Sequence, residues 1–296
     1  PNAVTFIGEN AFMRCNGFTG LLTISNSVSW IDDQAFYDCT GLTGSLVIPS
    51  SVVSIGSNAF KNCNGLTGTL TIPNSVTYIG SGAFSDCSAL TGSLIIPNSV
   101  TTINSNTFEN CSGLTGSLTI PNSVTKIGFG AFRNCSGFIG SLTIPNSVTS
   151  IGESAFYNCS GLISLNISNS VTSIGRYAFY NCSGLTGSLT IPNSITSIEE
   201  RAFYGCSGLT GPLTIPNSVT TISNYSFYNC SGLTSIIVLA ETPPSLGSNS
   251  FSFQFSMLTY YSDTPLYVPC ESVDVYQVAD IWKRFTNIMG MCASGT

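Results

Sequence analysis

Histidine is absent from this chain of 296 residues. That removes the commonest general base and the commonest neutral metal ligand, so neither a His-based triad nor a His-containing zinc site can be built. Charge is scarce too. Lys plus Arg number 8 and Asp plus Glu 14, for a net charge of −6, and charged residues are only 7% of the chain. So weak a positive complement leaves no basic footprint for phosphates, and without a run of roughly 18 apolar residues nothing can span a bilayer. Neither nucleic acid nor membrane insertion is expected. No G-x-S-x-G elbow, P-loop or dinucleotide fingerprint appears in a suitable strand-and-helix context, and no cofactor or metal is expected. Yet 43% of residues are hydrophobic, the composition of a packed chain rather than a disordered one.

What the chain has in abundance is repetition. Cys15, Cys39, Cys63, Cys87, Cys111, Cys135 and Cys159 stand 24 residues apart, Cys182 follows after 23, and Cys206 and Cys230 after 24 each. Around them runs a unit close to S-L-T-I-P-N-S-V-T-S-I-G-x-x-A-F-x-N-C-S-G-L-T-G. A period of this length is the mark of a solenoid. The single short step lies at Leu162-Ile163-Ser164-Leu165, which lacks the glycine of Leu185-Thr186-Gly187-Ser188-Leu189, and the deletion is expected in a loop.

Within one unit, Leu118-Thr119-Ile120 alternates as a short strand with one buried face, and Pro121 ends it. Ala131, Phe132, Cys135 and Phe138, at i, i+1, i+4 and i+7, predict a short helical turn that Gly137 stops. Each coil then reads strand, turn, helical turn, turn. Stacked at ~4.8 Å, ten such coils give a body roughly 50 Å long, with a continuous phenylalanine spine from Phe12 to Phe227 and leucine and isoleucine rows beside it. Burying each such side chain is worth roughly 1.5 to 3 kcal/mol.

The unit at residues 144–162 resembles the BspA-like (Treponema pallidum type) leucine-rich repeat, and the match runs over about residues 3–239. The tail extends the likeness through Thr242-Pro243-Pro244, Tyr267-Val268-Pro269-Cys270 and a Val-x-x-Tyr-Gln stretch before Trp282, similar to the closing segment of such proteins from Bacteroidetes. The resemblance implies an α/β solenoid over residues 1–239: a right-handed leucine-rich-repeat stack of about ten coils of 23–24 residues, with short parallel strands and short helical turns. A C-terminal capping segment over 240–296 would close it. It also implies a secreted or surface-exposed protein, adhesin-like in some members, whose partners are extracellular or host proteins or glycans. Pro1 falls inside a repeat unit, so a signal peptide is expected to have been removed or to lie outside this sequence.

From its own residues the tail also reads as a lid for apolar rows and strand edges. Aromatics crowd at Phe251, Phe253, Phe255, Tyr260 and Tyr261, and Val275, Val278, Trp282 and Phe285 recur at helical spacing across 272–285. The ten cysteines in register are expected to be free buried thiols, because stacked side chains run parallel instead of meeting at the dihedral a disulfide needs. Cys270 and Cys292 lie outside the register and are either a disulfide or two unrelated thiols.

Functional residues are to be sought outside, where packing does not enforce repetition. Outward hydroxyls on the strands form rows at Thr69, Thr71, Ser117, Thr119, Ser141, Thr143, Ser188 and Thr190, a broad hydrogen-bonding face or simply a solvated sheet. Two residues before the cysteine, Tyr157, Tyr180, Tyr204 and Tyr228 follow one another, where earlier coils carry Lys61, Ser85, Glu109 and Arg133. Tyrosine suits interfaces, though stacked rings can also merely shield one another. Five Asn-Cys-Ser sequons, from Asn110 to Asn229, follow from one repeated unit. Asp32-Asp33 and Glu199-Glu200 sit in variable turns without a partner base. The expectation is a non-enzymatic binding protein, with a passive spacer as the alternative. Ice binding is disfavoured by the interruptions at Ile95, Asn166 and Pro212.

Overall fold

The computed structural model describes residues 3–252 and 264–292. Coils stack in register as a parallel β-solenoid, and most bring two short strands rather than one; at Leu118-Thr119-Ile120 the expected strand is reduced to an isolated bridge between Ile95 and Thr119. The first ladder is the expected Ser-Leu-Thr-Ile segment, as where Leu46–Val47 pairs with Leu70–Thr71 and Pro212–Ile215 with Ser235–Val238. The second, which the spacing did not reveal, is the pair of residues before the conserved glycine position: Trp30–Ile31, Ser54–Ile55 and Tyr78–Ile79 in turn. It breaks twice: between Ser173–Ile174 and Ser197–Ile198, and near Asn104, which takes the glycine's place and bonds the Ile79 carbonyl through its side-chain amide at 2.7 Å.

The expected helical turn is replaced by tight turns interleaved with bonds between coils. Ala59, Lys61 and Cys63 donate their N–H groups three residues back, to Gly56, Asn58 and Phe60, at 3.4, 3.1 and 3.2 Å. Alternate residues Asn58, Phe60 and Asn62 donate forward to Ser81, Ala83 and Ser85 of the next coil at 2.8, 2.8 and 2.9 Å. Asn58 and Asn62 have φ of 54° and 60°, and a left-handed residue every fourth position cannot continue a right-handed helix. The i, i+1, i+4, i+7 residues still point inward, so the spacing named the buried face correctly and the backbone wrongly. Gly137 serves close packing: a Cβ there would lie 2.4 Å from the Leu114 carbonyl oxygen of the preceding coil.

The missing residue of the short coil falls inside a strand, not in a loop. Leu162–Ile167 pairs with Gly140–Ile144, and the register shifts between Leu162 and Ser164, so a bulge absorbs the deletion.

Inside, the phenylalanines stack ring on ring, with centroids 5.1 Å apart for Phe36–Phe60 and 5.6 Å for Phe84–Phe108. Each cysteine thiol beside them donates to the carbonyl of the phenylalanine in the preceding coil, as Cys63 does to Phe36 at 3.0 Å and Cys135 to Phe108 at 2.9 Å. All ten are free; nine are buried, and Cys15 in the first coil is half-buried. Burial in apolar surroundings pushes up the thiols of the eight coils from Cys39 to Cys206, Cys182 to about 12, which leaves these eight inert as nucleophiles.

Repetition runs past residue 239. Phe251 stacks on Phe227 at 5.3 Å, Ser245–Leu246 joins the second ladder, and Leu266–Pro269 and Ile288–Met291 extend the first. A disulfide joins Cys270 to Cys292, whose Cα atoms are 4.8 Å apart. The lid is made by Trp282 and Phe285 against Phe251, by the Trp282 indole N–H on the Pro244 carbonyl at 2.7 Å, and by the Tyr276 hydroxyl on Ala240 at 2.8 Å. Helical spacing across 272–285 fails in part: the helix is Val273–Val278 only, Tyr276 is its buried residue, and Val275 and Val278 are exposed. Ile281, at φ 65°, turns the chain so that Trp282 and Phe285 come inward. Phe253, Phe255, Tyr260 and Tyr261 lie outside the described residues. No described helix is long and apolar enough to cross a membrane.

Candidate functional site

A residue two places before each cysteine sits between an inward phenylalanine and an inward cysteine, so its own side chain must face out. In four consecutive coils it is tyrosine. Tyr157, Tyr180, Tyr204 and Tyr228 stack face to face with centroids 4.6, 4.6 and 5.0 Å apart. The outer face of Tyr157 is covered by the Arg133 guanidinium at 5.0 Å, and Arg133 lies 3.8 Å from Glu109. Partial burial and the neighbouring phenols push the hydroxyls of Tyr180 and Tyr204 upward, which keeps them neutral hydrogen-bond donors near pH 7.

A second row, which the spacing did not single out, lies three residues earlier. Tyr177 packs against Tyr180 at 5.9 Å and Tyr225 against Tyr228 at 5.6 Å, nearly edge to face. Between them stands Arg201, its guanidinium 5.5 Å from the Tyr177 ring and 4.8 Å from the Tyr225 ring. It donates to the Tyr177 hydroxyl at 2.7 Å and to Glu200, which also holds Arg176. Glu199 accepts from the Ser197 hydroxyl at 2.7 Å. The acidic pair expected as a solvated turn is therefore part of a bonded network. The two rows line one shallow concavity.

The strand hydroxyls form a separate face. Thr69, Thr71, Ser117, Thr119, Ser141, Thr143, Ser188 and Thr190 are all exposed. Some bond to their copies, as the Ser164 hydroxyl donates to Ser141 at 2.7 Å and the Thr69 N–H to the Ser45 hydroxyl at 3.1 Å. Exposed Leu21, Val47 and Ile95 interrupt the rows, and no hydrogen bond or ring contact ties them to the tyrosines. Further exposed aromatics, Phe6, Trp30 and Tyr78, project from the second ladder. Three of the five sequon asparagines are occupied: Asn110 donates to Asp86 at 2.6 Å, Asn134 to Asn110 at 2.7 Å and Asn158 to Asn134 at 2.9 Å, a side-chain ladder that holds these coils together.

The repeat agrees with a known sequence pattern. The family described as "BspA type Leucine rich repeat region (6 copies)" matches residues 5–139, 114–209 and 174–262. The chain belongs to that family. Among solved structures, a BspA-type solenoid so built is similar to a leucine-rich repeat protein from Bacteroides ovatus, with 25% identity, 99% of this chain and 82% of that chain covered, and a TM-score of 0.69. A leucine rich cell surface protein from Faecalibacterium prausnitzii is 26% identical over 86% of this chain and 84% of that one, with a TM-score of 0.46. The T. pallidum leucine rich repeat protein is 26% identical over 64% of this chain and 77% of its own, at 0.44. No curated protein matches.

Proposed function

We propose that this BspA-type repeat protein acts without catalysis, secreted or displayed on a cell surface, and binds an extracellular macromolecule through the tyrosine face of its later coils. The observation that carries the reading is the ladder of Tyr157, Tyr180, Tyr204 and Tyr228, held in register at 4.6 to 5.0 Å where the four coils before it bear Lys61, Ser85, Glu109 and Arg133 and only the isolated Tyr37 shares the residue type. Packing asks only for an outward side chain there; an aromatic run in four successive coils gathers area and hydroxyls at one place. Tyrosine does this at low entropic cost, having few rotatable bonds to freeze. A disulfide between Cys270 and Cys292 suits an oxidising compartment, and the family resemblance points the same way.

The test is binding of the full chain to immobilised extracellular matrix proteins and to a glycan array, for the parent, Tyr180→Ser/Tyr204→Ser, and Thr69→Ala/Thr71→Ala. Loss confined to the tyrosine variant supports the reading. Loss confined to the threonine variant moves the site to the strand face, and no binding by any form favours the spacer.

A further inference from the structure

Five positions before its cysteine, every coil needs a left-handed residue. Asn10, Asn58, Gly82, Asn106 and Gly130 meet that need with residue types that adopt φ near +60° at little cost, and Gln34 and Ser154 meet it with other small or flexible polar residues. Tyr177, Arg201 and Tyr225 hold the same conformation, at φ of 56°, 53° and 59°. For bulky side chains this is strained backbone. The inward neighbours of these three, Phe179, Phe203 and Phe227, are those of every other coil, so the core does not require the exchange. Strain kept by large outward side chains in three successive coils, beside the tyrosine ladder, is a sign of use.

Arg201 shows what the use is. Sandwiched between two rings and tied to Glu200, its guanidinium is fixed in place before any ligand arrives. Only Nη1 is engaged, by Tyr177 and Glu200, and the other N–H groups make no hydrogen bond among the described residues. Six phenols surround it. Glu200 is shared by Arg176 and Arg201, so the concavity is rich in donors and poor in net charge. The ladder rings have their faces turned to one another at 4.6 to 5.0 Å and Arg133 covers the outer face of Tyr157, which leaves little ring face for a sugar to stack on. Edges, hydroxyls and a planar guanidinium remain, and Tyr and Arg are the residues that dominate protein–protein hot spots.

We propose that Arg201, flanked by Tyr177 and Tyr225 and backed by Tyr180, Tyr204 and Tyr228, is a preorganised pocket for a peptide segment of a partner protein. The free guanidinium N–H groups and the phenols take the carbonyls of an uncharged stretch of chain. This rests on the binding reading above and narrows its partner to protein.

Panning a phage-displayed random peptide library on the full chain tests it. Selected peptides should lose at least about tenfold in affinity for Arg201→Ala and for Tyr177→Asn/Tyr225→Asn, and keep it for Thr69→Ala/Thr71→Ala. The double Asn variant should melt no lower than the parent, since Asn is what other coils use at this position. Failure to select any peptide, equal binding to Arg201→Ala, or a double variant that melts several degrees lower overturns the proposal, the last by marking the residues as structural. A glycan signal lost in these variants, in place of peptide binding, overturns it as well. Matrix binding that falls with Tyr180→Ser/Tyr204→Ser but not with Arg201→Ala sinks the pocket and leaves the broader reading standing.

Discussion

Two rows of left-handed residues run the length of the stack, and they have not been filled alike. The row just before each cysteine reads Asp38, Asn62, Asp86, Asn110, Asn134, Asn158, Asn181, Gly205 and Asn229, with Arg14 alone departing. Four residues earlier, the other row holds Asn, Gly, Gln34 and Ser154 and then changes to the larger Tyr177, Arg201 and Tyr225. Since both rows make the same backbone demand, backbone preference cannot explain the difference. Much of the first row has work inside the stack: the amides of Asn62, Asn110, Asn134 and Asn158 donate to the side chain one coil back, at Asp38, Asp86, Asn110 and Asn134. In a solenoid, then, uniformity marks positions whose groups are satisfied by their own copies, and departure marks positions that answer to something outside.

The largest expected effect tests the uniform interior. Burial raises the thiols of Cys39, Cys63, Cys87, Cys111, Cys135, Cys159, Cys182 and Cys206. Below about pH 8.5 a thiol is protonated folded or unfolded and contributes no pH dependence. Above it, the unfolded chain gives up protons that the folded chain keeps, and each such thiol shifts the balance toward unfolding by about 1.4 kcal/mol per pH unit until its folded value is reached. Stability should be flat through neutrality and fall steeply above about pH 9, as read from denaturant midpoints across a pH series. A chain equally stable at about pH 10 would mean the thiols are not buried in a row.

Next in size are substitutions in the phenylalanine spine, which is the same in both halves. Phe60→Ala, under the plain turn face, and Phe203→Ala, under the tyrosine face, should each cost about 3 to 5 kcal/mol. Both rings are fully buried between stacked neighbours. A large disparity between the two would show that the outward aromatics alter the core, and the contrast drawn between inside and outside would fail.

That same division decides how much could be read beforehand. The period and the inward rows were legible because every buried side chain meets its copy, so packing enforces repetition. The second ladder was not, because two residues such as Ser54-Ile55 are too short to display alternation. The helical turn was expected because i, i+1, i+4, i+7 spacing fits a helix and fits this chain of turns equally well; the clue lay in Asn58 and Asn62, residues suited to φ above zero. At the candidate site, four successive tyrosines were visible as a row. Tyr177, Arg201 and Tyr225 differ in type, and only their shared conformation and contacts place them together.

A smaller effect probes the two left-handed rows directly. Asn58→Tyr puts in the plain region what Tyr225 has in the other, with no stacked tyrosines or arginine beside it. It should cost about 1 to 2 kcal/mol, the penalty of a bulky residue in the left-handed region, measured by denaturant unfolding. A neutral result would remove strain as a reason for regarding Tyr177, Arg201 and Tyr225 as selected for a task.

The finest distinction is between a ring and its hydroxyl. Tyr180 sits in the middle of the ladder, 4.6 Å from a ring on either side. Tyr180→Phe keeps both stacks and loses only the hydroxyl, so stability should move by no more than about 0.5 kcal/mol. Tyr180→Ser gives up three aromatic pairs, with Tyr157, Tyr204 and Tyr177, and should cost about 1.5 to 4.5 kcal/mol, taking 0.5 to 1.5 for each. If the tyrosine face binds through its hydroxyls, the Phe variant loses affinity while remaining as stable as the parent. Should the Phe variant bind normally and only the Ser variant fail, the ladder is a brace for the solenoid, and the surface that meets a partner lies elsewhere.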